Sequence, residues 1–143
     1  MQAADLNVLL ACQGWLGQGR QAVLLTVLRT WGSSPRPPGA MMAIRDDAAV
    51  AGSVSGGCIE DDLIARVRET GLASLCPDGR PALVRYGVLA EEARRLGIPC
   101  GGTLELVLEP LSEHSRIDDT VRILQQRQSL RREVDMRTGA ATL

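Results

Sequence analysis

The chain has 143 residues, the length of one domain with a substantial buried core. Its formal net charge is −1 and aromatic residues make up 2%, with no Phe, so the composition argues against nucleic-acid binding through bulk charge or base stacking. All 16 basic residues are Arg, which excludes chemistry that requires a lysine, such as Schiff-base formation.

The first half of the chain alternates between helical and strand patterns. Val8, Leu9 and Cys12 recur at helical spacing, whereas the stretch at 21–29 is apolar and rich in β-branched residues, as in a buried strand. The predicted elements are a helix at 5–16, strands at 21–29, 40–44 and 48–54, and a helix at 58–69.

The second half continues the same mixture. Leucines at 104, 106 and 108 alternate with polar residues, which predicts a half-exposed strand. The other predicted elements are a strand at 81–86, a helix at 90–96, a helix around Ile117, Val121 and Leu124, and a strand with a turn in 131–143. Helices and strands without strict alternation predict the α/β class, as a single domain with a mixed β-sheet flanked by helices.

The chain contains four cysteines. Its first residues lack the basic start of an export signal, and no apolar run reaches the length of about 18 residues that would cross a bilayer. We therefore expect a cytoplasmic protein whose cysteines are thiols rather than disulfides. Cys12 is expected in the core, and Cys76, beside a proline, is expected to be an incidental loop thiol.

Cys58 is the leading candidate for chemistry, because it lies where a predicted strand passes through Gly56 and Gly57 into a helix. The start of a helix lowers the pKa of a thiol and makes it a better nucleophile or metal ligand. Ser55 adds a hydroxyl to this turn, whereas the acidic residues from Glu60 onward satisfy the helix dipole and repel anions. The alternative is a small buried cysteine at a tight turn, and the residues alone leave both interpretations open.

Two further segments present similar chemistry. Cys100 stands before Gly101 and Gly102 at the start of a predicted strand, and the same two interpretations apply to it. Ser33, Ser34 and Arg36 lie in a proline-rich loop, in which the arginine suits a phosphate or carboxylate. A rigid surface loop with a solvated arginine is the alternative. The two methionines that follow, at 41 and 42, are expected on opposite faces of a strand.

Several other sites find no support in the sequence. The cysteines form no C-x-x-C motif, and His114 is the only histidine, so neither a structural zinc site nor a histidine-based catalytic triad is expected. His114 itself is expected at a solvated helix start. Dinucleotide binding is not supported either, because no G-x-G-x-x-G motif is present.

Three short runs, at 32–42, 52–60 and 100–102, together resemble a known family. In order and spacing they are similar to the N-terminal domain of the XdhC/CoxI family, the accessory proteins of xanthine dehydrogenase and other molybdenum hydroxylases. The resemblance extends from about Val23 to about Leu111. We refer to these segments below as the first, second and third runs.

The resemblance implies an accessory chaperone rather than an enzyme. Proteins of this family bind the molybdenum cofactor as cargo, hold it while a cysteine desulfurase replaces an oxo ligand by sulfur, and deliver it to the hydroxylase. Carried over to this chain, the thiols nearest the molybdenum are Cys58 and Cys100. The residues that the resemblance places against the cofactor are Ser33, Ser34, Arg36, Ser55, Gly56, Gly57, Cys58, Glu60, Cys100, Gly101 and Gly102.

The chain departs from the family pattern in one respect. Family members usually continue into a Rossmann-like second domain, whereas here 130–143 resembles a truncated strand and turn. Self-association is expected if an apolar face lacks its usual cover. Two other functions stay open: a thiol-dependent sulfurtransferase that carries a persulfide on Cys58, and a non-catalytic assembly partner of an oxidoreductase.

Overall fold

A computed structural model describes residues 3–32, 36–55, 58–86 and 103–143, with side chains from residue 5 and, in the third segment, from residue 59. Its first elements are α1 (Ala3–Gly17), β1 (Ala22–Trp31), β2 (Met41–Arg45), β3 (Val50–Gly52) and α2 (Cys58–Thr70). The remaining ones are a 3-10 helix at Leu72–Leu75, β4 (Ala82–Tyr86), β5 (Thr103–Pro110), a 3-10 helix at Glu113–Ser115, α3 (Ile117–Gln125), β6 (Glu133–Val134) and β7 (Ala141–Thr142). The helix predicted at 90–96 lies outside these residues.

Five strands form one sheet in the order β3-β2-β1-β5-β4, and β6 and β7 form a separate two-stranded ribbon. The predicted α/β class, with a helix-flanked sheet in a single domain, is confirmed. Each pairing between the described strands is antiparallel, where the sequence favoured a mixed sheet. The strand and turn predicted near the end of the chain are the β6–β7 hairpin.

The two faces of the sheet bury separate apolar clusters. One face packs against α2 and the Leu72–Leu75 helix, and its cluster includes Leu25, Met42 and Leu106. The other face packs against α1 and α3 through Leu24, while Met41 lies at the edge of that second cluster. Met41 and Met42 therefore lie on opposite faces, as predicted. Among the residues described, no helix has both the length and the apolar character that a bilayer span needs.

Two buried cysteines belong to these clusters. Cys12 is fully buried, as predicted, and burial together with the charge of Glu109 raises the pKa of its thiol to about 12. Cys76 was expected to be an incidental loop thiol, but it is 4% exposed and its Sγ lies 3.8 Å from the carbonyl oxygen of Leu108. The turn at Cys76 folds back onto the sheet, and burial raises the pKa of its thiol to about 11.

A buried ion pair holds the last segment of the chain to the sheet. Arg132, just before β6, donates to both carboxylate oxygens of Glu109 on β5, at 3.0 and 2.5 Å, and to the carbonyl oxygen of Ser115 at 2.7 Å. Glu109 is 3% exposed, so the hydrogen bonds from Arg132 replace those that water would otherwise make to this carboxylate. His114 is exposed in the neighbouring 3-10 helix, whose start Ser112 caps, which confirms the expected solvated helix start.

Candidate functional site

The strand ends that border the first and third runs are neighbours in the sheet. β1 ends at Trp31, immediately before the first run, and β5 begins at Thr103, immediately after the third run. Trp31 and Thr103 pair directly across the ladder. The chain therefore leaves the sheet into the first run and enters it from the third run at adjacent positions.

The second run joins the same end of the sheet. β2 begins at Met41, and its next residue, Met42, pairs with Gly52 at the end of β3, where the second run starts. Because β3, β2, β1 and β5 are successively antiparallel, the end of β3, the start of β2, the end of β1 and the start of β5 all lie at one end. We call this end of the sheet the candidate site.

The turn at 53–55 is held by the carboxylate of Glu60, in the first turn of α2. Its Oε1 accepts hydrogen bonds from the Ser53 hydroxyl (2.9 Å), the Val54 N–H (2.7 Å) and the Ser55 N–H (2.9 Å), and its Oε2 accepts from the Ser55 hydroxyl (2.5 Å). Burial by itself raises the pKa of Glu60, but the hydrogen bonds from Ser55 and Val54 outweigh it and lower the pKa to about 2. The carboxylate is therefore ionised at neutral pH.

The arginine of the first run is held by a second buried carboxylate. Asp5, in the first turn of α1, is 5% exposed, and its Oδ1 accepts from the Arg36 guanidinium at 3.3 Å and from the Met41 N–H at 3.1 Å. Sequence reasoning missed Asp5, because an acidic residue at a helix start is adequately explained by the helix dipole alone. The sequence shows only that Asp5 stands near the start of a helix. Its contact with Arg36 depends on how that helix packs against the sheet.

Hydrogen bonds also connect the first and second runs to each other. The carbonyl oxygen of Met41 accepts from the Ser53 N–H at 3.2 Å, while the Met41 N–H donates to Asp5. Ser53 in turn donates its hydroxyl to Glu60. The two first-turn carboxylates thus hold two backbone segments that are hydrogen-bonded to each other, Asp5 at Met41 and Glu60 at 53–55, from opposite faces of the sheet.

An exposed indole borders the candidate site. Trp31 is 42% exposed, and the guanidinium of Arg85 lies 5.1 Å from its ring centroid. Arg85 also pairs with Glu105 at 3.0 Å, which fixes the guanidinium beside the ring. The other tryptophan, Trp15 on α1, lies under the guanidinium of Arg45 near the opposite end of β2. Trp31 is therefore placed to report on binding at this end.

Several predicted site residues lie outside the described part of the chain. The structure confirms that a helix begins at Cys58, although its side chain is not among those described. Within the described residues, no group of three His, Cys, Asp or Glu side chains is arranged to hold a metal ion. The predicted site residues outside the described ranges are Ser33, Ser34, Gly56, Gly57, Cys100, Gly101 and Gly102.

Residues 15–87 match the family described as the XdhC and CoxI family. The chain belongs to this family. The match includes the first and second runs and the strands β1, β2 and β3, so the resemblance to this family is confirmed, while the third run lies beyond the matched residues.

Relatives of this XdhC/CoxI-family chain are longer proteins. It is 33% identical over 112 residues to the molybdenum cofactor insertion chaperone PaoD of Escherichia coli (strain K12), a match that covers 78% of this chain and 33% of that protein. It is 29% identical over 100 residues to a Bacillus subtilis (strain 168) protein named as a probable xanthine dehydrogenase subunit, covering 67% of this chain and 28% of that protein.

A solved structure shares the fold. A crystal structure described as a xanthine dehydrogenase from Bacillus halodurans superimposes with a TM-score of 0.66 and 26% sequence identity, over 86% of this chain and 35% of that one. The XdhC/CoxI-family chain therefore spans about a third of the length of these relatives.

Proposed function

We propose that this chain is a molybdenum-cofactor-binding accessory protein, which holds the cofactor as cargo for a molybdenum hydroxylase such as xanthine dehydrogenase. The observation that carries this proposal is that the described strand ends bordering the three runs lie together at one end of the sheet. The family match and the relative named as a molybdenum cofactor insertion chaperone support the cargo. The relative named as part of a xanthine dehydrogenase supports the client.

The chemistry of the proposed site suits this cargo. The cofactor carries a phosphate, and the planar guanidinium of Arg36 is suited to bind it, with Asp5 holding one of its nitrogens in place. The hydroxyls of Ser33 and Ser34 are proposed to contact the pterin or the same phosphate. The glycines of the second and third runs are proposed to let the cofactor approach the backbone closely, because glycine has no side chain.

The thiols are proposed to lie nearest the molybdenum. Cys58 and Cys100 are soft ligands suited to a molybdenum–sulfur centre. We propose that the chain holds the cofactor while a cysteine desulfurase exchanges an oxo ligand for sulfur. The exchange itself belongs to the desulfurase, so this chain contributes binding and orientation rather than turnover.

An anaerobic titration of the protein with molybdenum cofactor tests this proposal. Bound pterin is measured by fluorescence after filtration, and quenching of Trp31 is followed in a Trp15→Phe background. We expect stoichiometric binding that weakens at least tenfold in Cys58→Ala, in Cys100→Ala or in both. Cys76→Ala is the control, because Cys76 contacts Leu108, toward the opposite end of β5, and it is expected to bind within twofold of the wild type.

Other outcomes would favour the two alternatives. Failure of the folded wild type to bind the cofactor would overturn the proposal for this chain. Sulfur transfer without pterin, lost in Cys58→Ala, would instead indicate a thiol sulfurtransferase. Client binding that survives both cysteine substitutions, with no cofactor bound, would indicate a purely structural assembly partner.

A further inference from the structure

We propose that Glu60 is the positioning residue of the candidate site: its carboxylate fixes the 53–55 turn to the start of α2 and does not itself contact the cargo. This assignment replaces the direct contact that the resemblance implies for Glu60. The part that concerns cargo rests on the proposed function, whereas the part that concerns the turn rests on the geometry alone.

The carboxylate of Glu60 is buried and faces donors of its own chain. Its Oε1 accepts three hydrogen bonds, from Ser53, Val54 and Ser55, and its Oε2 accepts one from the Ser55 hydroxyl. The residue is 7% exposed. Burial and these internal donors leave little of the carboxylate open to a cargo group.

The same bonds connect two elements that the chain joins only through the glycine pair. Glu60 is the third residue of α2, and its donors come from the turn that follows β3. The Ser55 hydroxyl also accepts from the Ile59 N–H at 3.2 Å, so the turn and the helix start brace each other in both directions. The carboxylate therefore sets where α2 begins.

The consequences extend to Cys58 and to the first run. Cys58 is the first residue of α2, so the position of its backbone depends on this brace. Ser53 also donates its N–H to the Met41 carbonyl oxygen, next to the backbone that Asp5 holds. Loosening the carboxylate would therefore disturb both runs.

A matched pair of variants separates positioning from charge. Glu60→Gln and Asp61→Asn each remove one negative charge from the first turn of α2, but Asp61 is exposed. Only Glu60→Gln also replaces the acceptor of the four hydrogen bonds from the 53–55 turn. The two variants therefore differ in how the turn is held and not in the charge removed.

Two measurements on the full chain test the proposal. The first is amide hydrogen exchange without cargo, measured by mass spectrometry on peptides that contain 53–55. We expect exchange in these peptides to be at least tenfold faster in Glu60→Gln and within twofold of the wild type in Asp61→Asn. The second is the dissociation constant for molybdenum cofactor, which we expect to increase at least tenfold in Glu60→Gln and less than twofold in Asp61→Asn.

Equal exchange rates in the two variants would overturn the proposal. If the wild type binds no cofactor, the proposed function fails, and hydrogen exchange in the 53–55 turn still decides the role of Glu60. If Glu60→Gln does not fold, Ser53→Ala replaces it, because this variant removes one donor and keeps the charge. Ser53→Ala is then expected to speed exchange by a smaller factor, and an unchanged rate would overturn the proposal.

Discussion

Gly52 allows α1 to pack directly on the end of β3. Its φ of +78° lies in the region that favours glycine, and a Cβ at this position would come within 2.4 Å of Val8 Cγ2 and 2.5 Å of the Met41 carbonyl oxygen. The carbonyl oxygen is part of the backbone where the first and second runs are hydrogen-bonded. Backbone cannot move aside as the far end of a flexible side chain can.

We therefore expect Gly52→Ala to destabilise the fold by about 3 kcal/mol, combining overpacking with the strain of a positive φ. The control is Gly19→Ala, which has a φ of +75° but no atom within 4 Å of its Cβ, so only the backbone cost of about 1 kcal/mol applies. Urea unfolding measures both free energies. Equal losses in the two variants would contradict the close contact at Gly52.

The buried thiols allow a second prediction at the scale of single residues. With pKa values raised to about 12 and 11 by burial, Cys12 and Cys76 are expected to resist iodoacetamide at pH 8 in the native protein and to react in urea. Because folding raises these pKa values, the stability they contribute is present below about pH 9 and is lost as the pH rises toward 11 to 12. Peptide mass spectrometry checks the adducts, and a native adduct on either residue contradicts the prediction.

At the scale of elements, the helices and strands were largely predictable because their signals are local. Helix α2, predicted at 58–69, is observed at Cys58–Thr70. The differences have physical causes that involve distant residues. β1 extends to Trp31 because, after an irregularity between Val27 and Arg29, it continues to pair with β5. β3 is shorter than predicted because the chain turns at Ala48, where φ is +69°.

The attachment of the C-terminal segment was not predictable, because its two charges are 23 residues apart in sequence. Arg132→Ala leaves the carboxylate of Glu109 buried without its partner, and we expect it to cost about 3–5 kcal/mol in the free energy of unfolding. The neighbouring variant Arg131→Ala is the control. Arg131 pairs with Glu133, but both side chains are largely exposed, so a loss below about 0.5 kcal/mol is expected.

Chemical denaturation followed by circular dichroism measures both losses. The double variant Glu109→Gln with Arg132→Met is expected to recover a substantial part of the loss, because it removes both buried charges. A loss in Arg132→Ala as small as that in Arg131→Ala would mean that the C-terminal segment is not held by this pair.

At the scale of the whole molecule, the sequence predicted which groups belong to the candidate site. It did not predict that the strand ends bordering them lie at one end of the sheet. The glycine-rich runs and Cys58 at a helix start are visible locally, whereas pairing of Trp31 with Thr103 joins residues 72 positions apart. Local periodicity carries no information on which strands become neighbours, so neither the sheet order nor its antiparallel direction followed from it. Asp5 was missed for the same reason, since its importance depends on its contacts with Arg36 and Met41.

The hydrogen bonds that Glu60 accepts from the 53–55 turn make the free energy of unfolding depend on pH in the acidic range. Folding lowers the pKa of this carboxyl from 4.5 to about 2, so its contribution is present above about pH 4.5 and is lost as the pH falls toward 2. Urea unfolding at a series of pH values from 7 to 2 is expected to show wild type more stable than Glu60→Gln at pH 7, with the difference shrinking below pH 4.5 and vanishing near pH 2. Because glutamine does not titrate, the stability of the variant should fall less steeply across this window. A constant difference at every pH would mean that Glu60 stabilises the fold through packing and not through its ionised hydrogen bonds to the 53–55 turn.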